Sequence, residues 1–356
     1  MKIIEVSASS KYDVIIDAKL LDKCGEYCHP FCPNKRAAII TDTNVAPLYL
    51  EKVTNSLKEN GITAIHYIIP AGEESKCGDT YLSILNYLAE NRLTRTDTLI
   101  ALGGGVVGDL VGFVAATYLR GISFIQIPTT LLAMVDSSVG GKTAINLPAG
   151  KNLAGAFYQP KLVLCDYSAL DTLPDPIFED GCAEIIKYAV LKSPSLFEHL
   201  TQCGKAFDRE KVITECVTIK RDIVNADEFE SGPRKFLNLG HTVGHAIEQY
   251  SHFKLSHGKS VAAGLAIIAE CAAKTQICDR GVTESICALN TKFNLPNATP
   301  YPLRDLLDVL LSDKKRSGNR ITFILPKKIG DCFLHTVDVP LVKAFLSPAF
   351  DRKESL

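Results

Sequence analysis

Apolar residues in the first half of the chain fall in short continuous runs, separated by stretches with helical spacing. Met1-Lys2-Ile3-Ile4-Glu5-Val6-Ser7 reads as a strand, and Ala37-Ala38-Ile39-Ile40 as a short buried strand ending in the turn Thr41-Asp42-Thr43-Asn44. A helical pattern over 47–60 is closed by Gly61. Residues 64–69 are strand again, and Tyr81, Ile84, Leu85 and Leu88 predict a helix over 80–91. Residues 98–102 form a third buried run, followed at once by glycines, and 124–127 a fourth. Such alternation predicts an α/β domain with a mostly parallel sheet. Near Leu170-Asp171-Thr172-Leu173-Pro174-Asp175-Pro176 the character changes. Helical patterns follow over 179–191, 209–229, 241–250, 261–275 and 303–311. The expected domains are therefore 1–170, α/β, and 171–356, mainly α-helical, without repeats or low-complexity segments.

Length and composition fit two globular domains: 356 residues, 46% hydrophobic and 22% charged. The 39 basic and 40 acidic residues leave a net charge of −1, so no global positive field attracts nucleic acid or an anionic membrane. Any anion must be held by local charge. The longest apolar-rich run, 261–269, is too short to span a bilayer. A disulfide framework for the 12 cysteines would need a short chain with an export signal. The N-terminus carries no apolar stretch ending in a small-residue cleavage site, so a cytoplasmic protein with reduced thiols is expected. Cys24, Cys28 and Cys32, with His29 between, would make a metal site on a helix, but Pro30 and Pro33 disturb that helix. Buried apolar thiols are the simpler reading. The charged tail 351–356 is expected to fray.

Three constellations carry candidate chemistry. Gly103-Gly104-Gly105-Val106-Val107-Gly108-Asp109 follows a buried strand and opens an apolar helix, a place where a phosphate reaches backbone N–H groups. The run matches neither the G-x-G-x-x-G fingerprint nor a Walker motif, so it is either a pyrophosphate site or a tight strand–helix turn. Asp42 would bind a ribose hydroxyl or cap a helix. Thr129-Thr130 leads into Asp136-Ser137-Ser138-Val139-Gly140-Gly141-Lys142-Thr143 and on to Lys151-Asn152; small polar residues, glycines and two lysines suit a phosphorylated substrate or a solvated loop. His241 and His245 stand one turn apart, His257 follows, and Glu184 sits in an apolar helix where a carboxylate needs a partner. A glutamate with two histidines suits zinc with an open position, while the spacing excludes the H-E-x-x-H protease motif. Lys187 shares the helix face of Glu184.

The segments 103–109, Arg120-Gly121-Ile122, 128–142, 150–160, 181–187, 237–248 and His257-Gly258 resemble the 3-dehydroquinate synthase family of sugar-phosphate cyclases, in the same order and over nearly the whole chain. The resemblance implies a Rossmann-like N-terminal domain and a helical C-terminal domain, with the active site in the cleft between them. It implies a phosphate-eliminating lyase of the shikimate pathway, toward chorismate and the aromatic amino acids. The substrate would be 3-deoxy-D-arabino-heptulosonate 7-phosphate, and the cofactors NAD and zinc, with cobalt as a substitute. The implied zinc ligands are Glu184, His241 and His257. NAD contacts are implied at Asp42, Asn44, Ala71, Gly72, Glu73, Glu74, Ser75, Lys76, Gly104, Gly105, Val106, Val107, Gly108, Asp109, Thr129, Thr130, Lys142, Lys151, Ala169, Leu170, Asp171 and Thr172. Substrate contacts are implied at Arg120, Asp136, Lys142, Asn152, Lys187, Lys220, Arg234, Asn238, His245 and one of Lys314 and Lys315. A homodimer is implied as well. Met134, Ser256 and Lys259 depart from the family pattern. A sister cyclase of the 2-deoxy-scyllo-inosose synthase type, a metal-dependent polyol dehydrogenase and a silent NAD- or zinc-binding module are the competing readings. The last would be expected to have lost some of Lys142, Lys151, Lys187, Glu184 and His241, all of which are present.

Overall fold

The apolar runs of the first half become strands β1 (Lys2–Ser7), β2 (Lys11–Asp17), β3 (Arg36–Asp42), β4 (Thr63–Ile69), β5 (Thr98–Gly103), β6 (Ser123–Pro128), β7 (Lys142–Leu147), β8 (Gly150–Phe157) and β9 (Leu162–Asp166). Helices α1 (Cys24–Cys28), α2 (Glu51–Glu59), α3 (Gly78–Glu90) and α4 (Gly105–Thr117) lie between them. The computed structural model describes residues 1–314 and 319–350, without the side chains of 312–314. The tail 351–356 and the side chains of Lys314 and Lys315 thus lie outside the described residues.

A seven-stranded sheet runs in the order β1-β2-β9-β6-β5-β3-β4, parallel throughout except for the antiparallel β1–β2 pair. β5 and β9 are buried along their whole length, as expected of strands covered on both faces, whereas in the edge strand β4 every residue but Ile69 is exposed or part-exposed. From β3 the chain moves outward to β4; from β5 it moves the other way, through β6 to β9. The carboxyl ends of β3 and β5 therefore flank a topological switch point, where parallel sheets receive ligands. Helix α4 lies close against the sheet. A Cβ on Gly103 would sit 2.7 Å from a Val107 methyl, and one on Gly108 2.7 Å from Gln126 Oε1. Val107, Leu110, Val111 and Val114 join Ile40, Leu99 and Phe124 in one core.

The chain forms two compact units, Met1–Pro174 with Arg209–Phe229, and Asp175–Asp208 with Glu230–Leu356. Helix α7 (Arg209–Ala226) packs with the first unit rather than with the helical half in which its position had placed it. Its polar side chains and the loop after it explain this: Ser7 N–H donates to Asn225 Oδ1 at 2.8 Å, and the Ser9 hydroxyl donates to Glu228 at 2.6 Å.

The second unit contains α5 (Asp175–Lys192), α6 (Pro194–Cys203), α8 (His241–Tyr250), α9 (His257–Lys274), α10 (Arg280–Lys292), α11 (Leu303–Lys314) and α12 (Val342–Phe350). An antiparallel hairpin, β10 (Arg320–Lys328) with β11 (Asp331–Asp338), joins them. Ile247, Ile267, Ile268, Leu306, Phe323 and Leu346 share its core. Among the described residues, no helix is long and apolar enough to cross a membrane.

Candidate metal and nucleotide sites

In the second unit, glycines set the helix spacing that gathers the histidines. A Cβ on Gly244 of α8 would lie 2.9 Å from the Ser260 carbonyl oxygen of α9, and one on Gly264 would overlap the Gly240 carbonyl. A Cβ on Gly258 would overlap the Asp180 carbonyl of α5. These close approaches bring His241, the first residue of α8, and His257, the first of α9, to Glu184 on α5. Glu184 is wholly buried, and its Oε1 lies 3.1 Å from His257 Nε2 and 3.2 Å from His241 Nε2. One donor atom from each of the three falls within 4.8 Å of the others. Lys187 pairs with the second oxygen of Glu184.

The electrostatics follow from this packing. Burial opposes ionisation of Glu184, but Lys187, His241 and the histidine hydrogen bonds hold its carboxyl well below the usual range. Burial would lower His257, yet Glu184 and Glu248 together push it up to about 10. His241 Nδ1 lies 3.0 Å from the Leu239 carbonyl oxygen; a proton donated there leaves Nε2 to face Glu184. One carboxylate and two imidazole nitrogens make a three-ligand donor set that fits a catalytic divalent cation of the zinc type. Exposed His245 borders this set, its ring centroid 5.2 Å from that of His241 and 5.9 Å from that of His257.

Arg234 and Asn238 lie on the short turn Pro233–Asn238 just before α8. Arg234 is 1% exposed, and Asn238 Nδ2 donates to Glu230 Oε1 at 2.5 Å. The three departures from the family pattern are placed as follows. Met134 is a core residue, Ser256 precedes α9 without a side-chain cap, and the Lys259 N–H donates to Asp180 at 3.2 Å.

In the first unit, the expected NAD residues cluster at the carboxyl ends of the parallel strands. Asp42 ends β3 and Asn44 follows it, 71–76 follow β4, 104–109 follow β5, Thr129 and Thr130 follow β6, and 169–172 follow β9. The α4 N-terminus has Gly104 at its cap and no side-chain cap, so its N–H groups suit a phosphate. Thr129 is buried, with a hydroxyl that has no hydrogen-bond partner among the described residues. The Asp42 carboxylate accepts from the Asn44 and Val45 N–H groups at 2.8 and 3.0 Å, an Asx turn; the helical turn Ala46–Leu50 that follows has Val45 at its N-cap and no side-chain cap.

Buried Lys76 bonds Asp109 at 2.6 Å; burial raises the Asp109 pKa and Lys76 opposes the rise. Glu73 accepts from Asn146 at 2.8 Å and pairs with Lys151 at 3.5 Å, while Asn146 in turn accepts the Asn152 N–H at 2.9 Å. Tyr49 O–H donates to the Ala169 carbonyl at 3.1 Å, and Asp171 pairs with Arg209 at 2.6 Å.

Lys220 donates to both the carboxylate and the carbonyl oxygen of Asp136, so these two expected substrate residues meet. Arg120 and Lys142 are exposed. Asn146, Tyr49, Glu230 and Glu248 received no role from sequence. Only Glu248 had a signal, its position three and seven residues after His245 and His241 on one helix face. The 12 cysteines are free thiols; the Cys24, Cys28 and Cys32 trio is buried, and burial pushes Cys24 up to about 11.

Comparison with known proteins agrees with this layout. Family models described as 3-dehydroquinate synthase N-terminal and C-terminal match residues 66–180 and 181–316. A 3-dehydroquinate synthase of Clostridium acetobutylicum is 41% identical over 345 residues, 95% of this chain and 97% of that one. One from Pelobacter propionicus is 44% identical over 331 residues, 91% and 92% of the two chains. Among solved structures, ValA, a 2-epi-5-epi-valiolone synthase from Streptomyces hygroscopicus with NAD+ and Zn2+ bound, superposes with a TM-score of 0.86 at 26% identity, covering 99% and 100% of the chains. A 2-deoxy-scyllo-inosose synthase complexed with carbaglucose-6-phosphate, NAD+ and Co2+ gives 0.87 at 22% identity over 97% and 100%, a likeness of fold. An iron-containing alcohol dehydrogenase falls to 0.66 at 16%, with 97% and 99% covered. With near-full-length identity and the Glu184, His241 and His257 set in place, this chain belongs to the 3-dehydroquinate synthase family.

Proposed function

We propose that this protein is a 3-dehydroquinate synthase that converts 3-deoxy-D-arabino-heptulosonate 7-phosphate to 3-dehydroquinate and phosphate. The observation that carries the reading is the 41% identity over 95% of the chain, which spans the buried ligand set. Bound NAD supplies a hydride acceptor regenerated in each turnover, and a bound zinc or cobalt ion supplies Lewis acidity at the alcohol to be oxidised.

Glu184, His241 and His257 hold the cation. Lys187, beside them, binds negative charge on the substrate oxygen. His245, an exposed imidazole at the edge of the set, relays a proton; this side chain class titrates near neutrality. In the first unit, the α4 N-terminus and the Glu73, Lys76 and Asp109 network hold NAD. Arg120, Lys142 and Asn152 bind the phosphate group, whose own oxygens take up the proton lost from carbon as the C–O bond breaks. Asp136 and Lys220 orient substrate hydroxyls, and Arg234 with Asn238 receives the carboxylate. The reading also takes the enzyme as a cytoplasmic homodimer whose partner molecule is the sugar phosphate, with no nucleic acid or membrane.

The test mixes protein, zinc, a catalytic amount of NAD and the heptulosonate phosphate, then measures free phosphate and net NADH. Phosphate should exceed NAD many-fold without NADH accumulating. Stoichiometric NADH would move the assignment to a polyol dehydrogenase. Efficient cyclisation of glucose 6-phosphate would move it to the inosose-forming cyclases.

A further inference from the structure

We infer that Glu248 is a positioning residue of the metal centre: it accepts the Nδ1–H of His257 and so presents the Nε2 of that ring to the ion. The inference rests on the metal-centre reading above. Glu248 sits on α8, two turns beyond His241 and on the same face. Its side chain is 6% exposed, and a carboxylate that deep needs a partner. The partner is His257: Glu248 Oε2 lies 3.4 Å from Nδ1, while Glu184 Oε1 lies 3.1 Å from Nε2 of the same ring. Two carboxylates thus meet opposite nitrogens of one imidazole. A neutral imidazole offers a lone pair on one nitrogen only when the other holds the proton. An acceptor on Nδ1 therefore determines which nitrogen is the ligand, and a negatively charged acceptor raises its basicity. His241 is treated differently, since its Nδ1 faces the Leu239 backbone carbonyl at 3.0 Å. Of the two ligand rings, that of His257 is the one oriented by a side chain.

His245, Glu248 and His257 also bring donor atoms within 4.8 Å, which would make Glu248 a ligand itself. That set would use Nδ1 of a ring whose Nε2 already faces Glu184, and it would rely on exposed His245 while bypassing wholly buried Glu184. One ion on Glu184, His241 and His257, with Glu248 behind His257, uses every buried group once.

The test measures zinc dissociation constants by competition with a chromophoric chelator, and the visible spectrum of the cobalt-loaded protein, for wild type, Glu248→Gln and Glu248→Ala. Melting of the metal-free proteins reports folding. Glu248→Ala should weaken zinc about 10- to 100-fold and alter the cobalt spectrum. Glu248→Gln keeps an acceptor oxygen and should recover most of the affinity. Wild-type affinity and spectrum in both variants would overturn the inference. Loss of zinc from both variants as complete as in Glu184→Ala would also overturn it, by making Glu248 a ligand. If the alanine variant does not fold, the glutamine variant decides: its cobalt spectrum must differ from that of wild type. Failure of the underlying reading looks different, because wild type would then bind no stoichiometric zinc, or Glu184→Ala would bind it undiminished.

Discussion

Lys187 and Arg234 are each 1% exposed, and Lys76 and Lys220 are nearly as deep, whereas Arg120 and Lys142 lie at the surface. Buried cations are rare because desolvation is costly, so each must answer a nearby anion of the chain or of a ligand. Lys76, Lys187 and Lys220 answer Asp109, Glu184 and Asp136. In the proposed reaction the substrate carboxylate is received by Arg234, just before α8, whose guanidinium is a planar fork. Arg234→Ala should leave zinc content unchanged and lower kcat/KM by about a hundredfold, equivalent to about 2.7 kcal/mol. Steady-state kinetics check this, and Arg234→Lys should recover only part. The Lys76–Asp109 pair makes a pH prediction. Burial raises Asp109 above its unfolded value and Lys76 restrains the rise. A carboxyl with a raised folded pKa binds more protons folded than unfolded, so stability falls as pH climbs from the unfolded to the folded pKa. Lys76→Met removes the restraint and should deepen that loss. Melting scans from pH 7 downward should therefore show the deficit of Lys76→Met relative to wild type shrinking as the medium becomes acid. A pH-independent deficit would mean that Lys76 acts only through packing.

Helices meet at the ligand set because small residues let their backbones touch. Gly258 is the sharpest case, since any side chain there meets the Asp180 carbonyl of α5. Gly258→Ala should push the start of α9 off α5, costing about 1–3 kcal/mol of stability as overpacking does, and should weaken zinc because His257 is the neighbouring residue. Denaturant melts of the metal-free protein and chelator competition measure the two effects separately. Packing of this kind was legible in sequence only as glycines beside histidines. The runs that became β3, β4, β5 and β6 were legible because both periodicity and flanking turns agreed. The β10–β11 hairpin is not legible in sequence: Arg320-Ile321-Thr322-Phe323 alternates over too few residues, and its partner Asp331–Asp338 is mostly part-exposed or exposed, with Val337 buried. The pattern of α7 predicts the helix but not its place in the first unit, because an amphipathic pattern gives the buried face and not what covers it. At the site, Glu184 and His241 were legible as chemically costly residues in apolar sequence. Asn146 and Tyr49 were not, because they act through hydrogen bonds to segments distant in sequence.

The whole chain carries a net charge of −1, so it has no long-range field with which to gather anionic ligands, and binding must come from local constellations. Those constellations divide between the two compact units. The switch-point ends of β3 and β5 belong to the first, and the Glu184, His241 and His257 set to the second. A ligand that binds only the folded form stabilises it by RT ln(1 + [L]/Kd), about 2.7 kcal/mol at a hundred times Kd. That stabilisation is felt by amides whose opening destroys the site, since exchange reports local and sub-global openings as well as global unfolding. Zinc should therefore slow amide hydrogen exchange in the segments that supply its ligands: the middle of α5 and the first turns of α8 and α9. NAD should slow exchange at 104–109 and 71–76, beyond β5 and β4. The slowing should reach about a hundredfold at saturating ligand in the regime where exchange follows the opening equilibrium. Exchange mass spectrometry of the metal-free protein, with zinc alone and with NAD alone, separates the two footprints. In Glu184→Ala the zinc footprint should vanish while the NAD footprint persists. A zinc footprint that survived this substitution would place the metal elsewhere, and an NAD footprint away from the strand ends would remove the glycine turn from the cofactor site.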